Sequence, residues 1–314
     1  MTKSPERRLA RGVGVAWIGA ALGLLVVVLV QAIPSGRALA NTGSVNLSPL
    51  LLALLPACAA PVAHAWRWAQ MLATLGERLA LGPALRATIV ATLANYAVPG
   101  YAWAPVKGLV ARRVYGIGLV RSAPTLVLEQ GLDVVMLVAG TALGFLLMPG
   151  MAGQWRPWLP SHRPTIVLLA FAALLALMVV RHSERWRYAL GMVRLNWQRL
   201  LGSRPLYPWL VGLTVLRWAA DLASFWLVAS ALGLDLSLAR LLVLVNLPAV
   251  AGVVAPVPGG LGVREGSVLA VGSALGLGGG SLALAALVHR IVLLAGLPLA
   301  FLLTLLLPRS RRCA

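Results

Sequence analysis

Charge is what this sequence lacks most. Only 11% of its 314 residues are Asp, Glu, Lys or Arg, against about 25% in a typical soluble domain. That excludes an ordinary water-soluble fold. It excludes a disordered tail as well, which needs high charge and little apolar content. Acid is scarcest: 8 carboxylates stand against 27 basic side chains, a net charge of +19. Lysine is confined to Lys3 and Lys107, and every other basic residue is arginine. Two cysteines, Cys58 in an apolar segment and Cys313 near the C-terminus, argue against a disulfide framework. Four histidines (His64, His162, His182 and His289) are scattered without metal-ligand spacing. Neither a Gly-x-Ser-x-Gly elbow nor a His-Glu-x-x-His motif occurs. The expectation is no catalytic residue, no metal and no cofactor.

Apolar residues fill the space that charge leaves. They make up 60% of the chain, and mean hydropathy is +0.88. These values predict an all-α polytopic membrane protein, a single transmembrane domain over 1–314. In a soluble protein such basicity would suggest nucleic acid. Here arginines hold cytoplasmic loops beside anionic headgroups, and no nucleic-acid partner is expected.

A spanning helix needs about 20 apolar residues. Runs of that kind are Val13–Ile33, Leu47–Ala65, Ala123–Met148, Thr165–Val180, Trp209–Leu232 and Leu282–Leu307. The first is longer than a signal-peptide core, so an uncleaved span is expected over cleavage after Ala40. Two further runs are interrupted: Ala84–Pro105 by Pro99 and Gly100, and 241–278 by the string from Pro256 to Gly262. Basic residues in 1–11, Arg67–Arg86, Lys107–Arg121, 181–204 and 308–314 place all five segments in the cytoplasm. The segment 84–121 must then enter and leave on one side, as a broken re-entrant hairpin. By the same counting, 241–278 is a second one, entering from outside. About six full spans plus two broken hairpins is the layout of an inverted repeat. The stretch 181–204, with Trp186, Leu190, Val193 and Trp197 at helical spacing, reads as an interfacial amphipathic helix. Trp155, Trp158, Trp186 and Trp209 fall near span ends, as in an aromatic belt.

Broken helices at membrane depth must line a cavity or be buried in protein, so function is expected there. Glu129, Asp133, Asp221 and Glu265 lie in or beside apolar runs. A charge at the bilayer centre costs about 2.5–3.5 kcal/mol on insertion scales and needs a partner. Glu129 and Asp133 share a helix face, with Arg112, Arg113, Arg121 or Arg264 as candidate neutralisers. Arg217 and Asp221, also four apart, read as an intrahelical pair. Arg290 either snorkels outward or meets an acid such as Glu265. The run Pro258-Gly259-Gly260-Leu261-Gly262-Val263-Arg264-Glu265 permits close backbone approach. A helix starting near Gly262 would offer free N–H groups to an anion. The string is neither a Walker A motif nor a dinucleotide fingerprint.

That string resembles the lysylphosphatidylglycerol synthetase transmembrane-region family. So does the earlier block of Asn95, Pro99-Gly100, Lys107, Arg112, Arg113, Gly116 and Glu129-x-x-x-Asp133. The order and spacing of both blocks match over nearly the whole chain. Tyr101 and Gln130 depart from the acidic and basic residues often found there. The resemblance implies a flippase-like translocase of aminoacylated or related anionic lipids. Synthetase members carry a soluble aminoacyl-transferase domain after the membrane part. This chain, running to Ala314 directly after its last span, is expected to lack that activity.

The leading expectation is a bacterial inner-membrane lipid translocase, both termini cytoplasmic. Arg112, Arg113, Lys107 and Arg264 would hold the lipid phosphate, balanced by Glu129, Asp133 and Glu265. Pro99, Gly100, Pro256, Pro258, Gly259, Gly260 and Gly262 would form hinges or an anion loop. Arg217, Asp221 and Arg290 are secondary candidates. An accessory protein presenting lipid-linked substrate to a separate glycosyltransferase or other lipid-modifying enzyme is the alternative. A membrane-embedded polyprenyl-phosphate enzyme using Glu129 and Asp133 ranks third.

Overall fold

Proline and glycine divide the apolar sequence into pieces of two lengths. The computed structural model describes residues 46–97, 102–148, 184–254, 258–260, 262–277 and 279–306. Among the described residues every regular element is a helix. Helices α1 (Leu47–Leu52) and α2 (Leu54–Thr74) join through Ala53 into one 28-residue span. The short helices α3 (Leu81–Ala97) and α4 (Trp103–Tyr115) follow, then the long α5 (Leu119–Leu146). Next come α6 (Glu184–Gly202), a 3-10 turn at Arg204–Leu206 and α7 (Tyr207–Ala231). The short pair α8 (Leu238–Val254) and α9 (Val263–Ala274) flanks a turn at Pro258–Gly260, and α10 (Gly279–Leu306) is long.

The lengths repeat. A 28-residue span, then helices of 17 and 13 residues, then a 28-residue helix make the first half. The second half runs 28, 17, 12 and 28, starting from Arg204–Ala231. A 28-residue helix is roughly 42 Å long and crosses the ~30 Å hydrocarbon core; one of 12 or 13 reaches only about 18–20 Å. Each half is therefore two crossings around one hairpin.

The halves are inverted. Arg121, at the start of α5, pairs with Glu77 in the loop before α3, so the first hairpin enters and leaves at one end. Asn196 of α6 donates to Val120 O at 3.1 Å, and Arg86 near the start of α3 to Thr304 O near the end of α10 at 3.4 Å. Exposed Arg78, Arg112, Arg113, Arg121, Arg194 and Arg199 also lie in these segments. At the far end of α5, Gly144 lies against Ala239 O at the start of α8. Asn46 N donates there to Ala231 O at 3.0 Å, joining α1 to the end of α7. The second hairpin thus starts where the first does not reach.

Small residues let these helices close up. A Cβ on Gly140 would sit 2.5 Å from Asn246 Nδ2, and one on Gly144 2.7 Å from Val243 Cγ2. This small-xxx-small stripe packs α5 onto α8. The same two positions of α10 carry Ala300 and Thr304, both buried, on the side that meets α3. Packing and backbone approach, rather than exclusion from water, hold such contacts in lipid. Leucines and valines on the outer faces of α5 and α10, among them Val135 and Leu302, stay exposed, as lipid-facing residues do.

The second span is longer than its apolar run suggested. It continues past Ala65 to Thr74, so Arg67 is not in a cytoplasmic loop but fully buried within α2. Lys107, also assigned to a cytoplasmic segment, is fully buried in α4. Both charges are satisfied inside the protein, which the positive-inside count cannot register. The runs 13–33 and 165–180, the termini 1–11 and 308–314, and Pro99, Gly100 and Pro256 lie outside the described residues.

Candidate functional site

Each half buries a cluster of charge where its hairpin meets its spanning helices. In the first half Glu129 of α5 is the hub, with no exposure. Its Oε1 lies 2.8 Å from His64 Nε2 and 3.8 Å from an Arg67 Nη; its Oε2 accepts from Lys107 Nζ at 2.8 Å. Arg67 also reaches Asp133 Oδ1 at 2.8 Å and donates to Thr214 Oγ1 at 2.8 Å. Arg217 of α7 reaches the same Asp133 oxygen at 3.0 Å. Lys107 Nζ stands 4.5 Å from the Trp68 ring centroid and 5.6 Å from that of Trp103. A cation so placed gains from the ring quadrupole as well as from the carboxylate.

The neutralisers of Glu129 and Asp133 are therefore His64, Arg67, Lys107 and Arg217. They are not Arg112, Arg113, Arg121 or Arg264. Arg112 and Arg113 sit in the last turn of α4, exposed at the basic end, just before Gly116 ends the helix in a left-handed cap at φ 71°. They lie more than a turn beyond Lys107 and are separated from the buried cluster.

The second half is looser. Asp221 of α7 lies 3.7 Å from Arg264 Nη2 and 3.8 Å from His289 Nε2, with 30% of its side chain exposed. The expected Arg217–Asp221 pairing gives way to partners on other helices, because α5, α9 and α10 bring opposite charges to the same depth. Arg290 meets Glu265 at 2.8 Å while only 4% exposed, so it does not snorkel. It also donates to Gly259 O at 3.2 Å. Glu265 Oε2 accepts from Gly262 N at 2.8 Å, capping α9 with its own carboxylate. That N–H is consequently taken rather than free for an anion. Gly259, Gly260 and Gly262 adopt φ values of 56°, 64° and 78°, where other residues are strained. A Cβ on Gly259 would stand 2.5 Å from Tyr96 Cδ1 of α3. The glycines thus bring the second hairpin's turn onto the first hairpin.

Between the hairpins is a cavity of about 210 Å³. One water needs only about 10–15 Å³ on this measure, so the space suits a headgroup. Its charged lining is Asp133, Arg217, Asp221 and Arg264; Asn95, Gln130 and Trp218 add polar edges. Trp218 is fixed there by donating to Asn246 Oδ1 at 2.8 Å. Of the predicted site residues, Asp133, Gly259 and Arg264 line this space, as do the secondary candidates Arg217 and Asp221. Glu129 and Lys107 lie behind it, and Glu265 with Arg290 flanks it. Sequence reasoning missed His64, Arg67 and His289. The available signal was that His64, Arg67 and Trp68 share one face of a continuing helix.

These elements, a buried charge cluster on each hairpin and a cavity between them, can be set beside known proteins. The family model described as lysylphosphatidylglycerol synthase TM region matches residues 16–300. The chain belongs to that family. The match spans both hairpins and both charge clusters, so the whole site lies in family territory. No curated protein and no solved structure matches the chain. The family places this protein among multi-pass membrane proteins involved in handling lipid.

Proposed function

We propose that this protein is a translocase that moves an anionic or aminoacylated phospholipid, or a polyprenyl-phosphate lipid, between leaflets. The observation that carries the reading is the cavity itself, in which two arginines and two carboxylates converge from α5, α7 and α9 between inverted hairpins. Arg217 and Arg264 would hold the lipid phosphate, since guanidinium grips phosphate in a bidentate fork. Asp133 and Asp221 would receive a cationic headgroup where there is one. Arg112 and Arg113 have no part in this grip and instead face the headgroups of the basic leaflet. By the positive-inside rule that end faces the cytoplasm, in a bacterial inner membrane.

Leaflet exchange in proteoliposomes tests the reading. Fluorescent phosphatidylglycerol, a lysylated lipid and a polyprenyl phosphate are compared. Selective exchange that falls about tenfold or more in Arg264→Gln is expected, from the loss of one charge-assisted contact. Wild-type rates in a folded Arg264→Gln protein would remove Arg264 from the site, and no exchange of any lipid would defeat the reading. The accessory role has one observation in its favour. Helix α6 exposes Arg194, Leu195 and Arg199 at the basic end, a face that could meet a glycosyltransferase.

A further inference from the structure

The charges gathered around the cavity do not cancel. In the first cluster Arg67, Lys107 and Arg217 face two carboxylates, Glu129 and Asp133. In the second, Arg264 and Arg290 are matched by Asp221 and Glu265. With the imidazoles of His64 and His289 neutral, one positive charge is left over. Glu77, paired with Arg121 at the basic end, and Asp235, exposed before α8, lie outside both clusters. Arg67 and Arg217 share a single Asp133 oxygen, at 2.8 and 3.0 Å. Arg67 is sealed in the protein, whereas Arg217 lines the cavity. The surplus therefore borders the space a headgroup would occupy.

Helix α3 adds a second constraint. Asn95 lines the cavity, and its Oδ1 is shielded from solvent without a hydrogen-bond partner among the described residues. The side chain is uncharged, so no ion pair takes the place of that bond. Thr92, also on the cavity wall, donates its hydroxyl to Thr88 O at 2.9 Å. Its donor is spent and its remaining lone pairs can only accept. Thr92 and Asn95 are three apart, neighbours on one face of α3. That face offers acceptors to whatever enters, and a buried acceptor left unmet is costly. The adjacent Tyr96 packs against Gly259 and lies 5.7 Å, ring centroid to guanidinium carbon, from Arg290, which fixes this end of α3.

We propose that the cavity selects a lipid phosphodiester of one net negative charge whose headgroup bears hydroxyls. This deepens the translocase reading above and rests on it. The single charge of a phosphodiester is held by Arg217 and Arg264 and balances the surplus. A prenyl phosphate is a monoester, close to a dianion above pH 7, and would leave one negative charge over. A lysylated phosphatidylglycerol carries at least one ammonium group against its one phosphate charge, so the surplus would stay unbalanced. An unbalanced charge at membrane depth is costly. The headgroup hydroxyls donate to Asn95 Oδ1 and Thr92 Oγ1. Phosphatidylglycerol and a glycosyl prenyl phosphate share this chemistry.

Equilibrium binding to purified full-length protein at pH 7.5 tests this without requiring transport. The probes are short-chain phosphatidylglycerol, phosphatidylethanol (the same charge without hydroxyls), lysylated phosphatidylglycerol, prenyl phosphate and prenyl phosphoglucose. Phosphatidylglycerol or prenyl phosphoglucose should bind about tenfold or more tighter than prenyl phosphate and the lysylated lipid. The tighter of the two names the lipid source. Phosphatidylethanol should bind roughly three- to tenfold more weakly than phosphatidylglycerol, and Asn95→Ala should erase that difference. Asp221→Asn adds a second surplus charge and should strengthen prenyl phosphate more than phosphatidylglycerol. Should a variant not fold, the wild-type ranking decides. Equal binding of phosphatidylethanol and phosphatidylglycerol would overturn the inference. So would prenyl phosphate or the lysylated lipid binding as tightly as the hydroxylated diesters; either result leaves the translocase reading intact. Failure of every lipid to bind folded protein would overturn the two together.

Discussion

Both halves of this protein tie the second helix of a hairpin to a long helix by an ion pair, and they differ in the sign of that pair and in the tightness of the charges around it. In the first, the acid Glu129 sits on the long helix and the cation Lys107 on the short one, 2.8 Å apart. In the second, the cation Arg290 sits on the long helix and the acid Glu265 on the short one, also 2.8 Å apart. Each hairpin is thus pinned by an ion pair, and the two pairs have opposite polarity. The histidine–carboxylate couples diverge: 2.8 Å for His64–Glu129 and 3.8 Å for Asp221–His289. The first cluster is a closed network that fixes a hairpin. The second is open on the cavity side and has room to change partners.

The largest effect should come from breaking the closed cluster. Glu129→Gln leaves Lys107 and Arg67 buried with part of their countercharge gone. About 3–5 kcal/mol of stability should be lost, read by chemical or thermal denaturation in detergent. A loss under 1 kcal/mol would mean that the first cluster is as adaptable as the second. Next, Arg290→Glu should destabilise by placing two carboxylates together. Adding Glu265→Arg gives the second half the polarity of the first, and about 1–3 kcal/mol should be regained as coupling. Absence of any regain would show the pairs to be independent of each other. Gly144→Leu should cost roughly 1–3 kcal/mol by overpacking α5 against Val243 and Ala239. Asp221→Asn should cost least, under about 1 kcal/mol, since its ion pairs are long and it is 30% exposed. It should nevertheless strengthen binding of anionic lipid by freeing Arg264, an outcome that titration with phosphatidylglycerol would reveal.

Much of this architecture can be read from residue types alone. Pro99-Gly100 and the glycine string ending at Gly262 mark where helices cannot continue, and basic segments on both sides of 84–121 require a re-entrant path. The expected hairpins, 84–121 and 241–278, overlap the observed α3–α4 and α8–α9 pairs, each of which starts three residues earlier, at Leu81 and Leu238. The partners are harder to read. Arg67 looks like a loop residue because a hydropathy scan stops at the first charge, whereas its guanidinium is satisfied by Asp133 and Thr214, which are distant in sequence. Arg217 and Asp221 satisfy the spacing rule for an intrahelical pair, but that rule takes no account of neighbouring helices. Only the packing of α5 and α10 against α7, with Arg264 of α9 reaching Asp221, decides where those charges go.

The exchange of sign between the halves has an electrical consequence. Inverting a repeat turns each ion-pair dipole upside down, so two pairs of the same polarity would cancel along the membrane normal. Here the acid and the base trade places as well, which turns the second dipole back. The two pairs stand at neighbouring rather than identical helix positions, so with their charges exchanged the repeat does not cancel Lys107–Glu129 against Glu265–Arg290. A transmembrane voltage, worth about 2.3 kcal/mol per unit charge per 100 mV across the full membrane, therefore acts on two pairs whose responses the repeat does not cancel. Exchange rates under imposed potassium diffusion potentials of either sign would register that polarity.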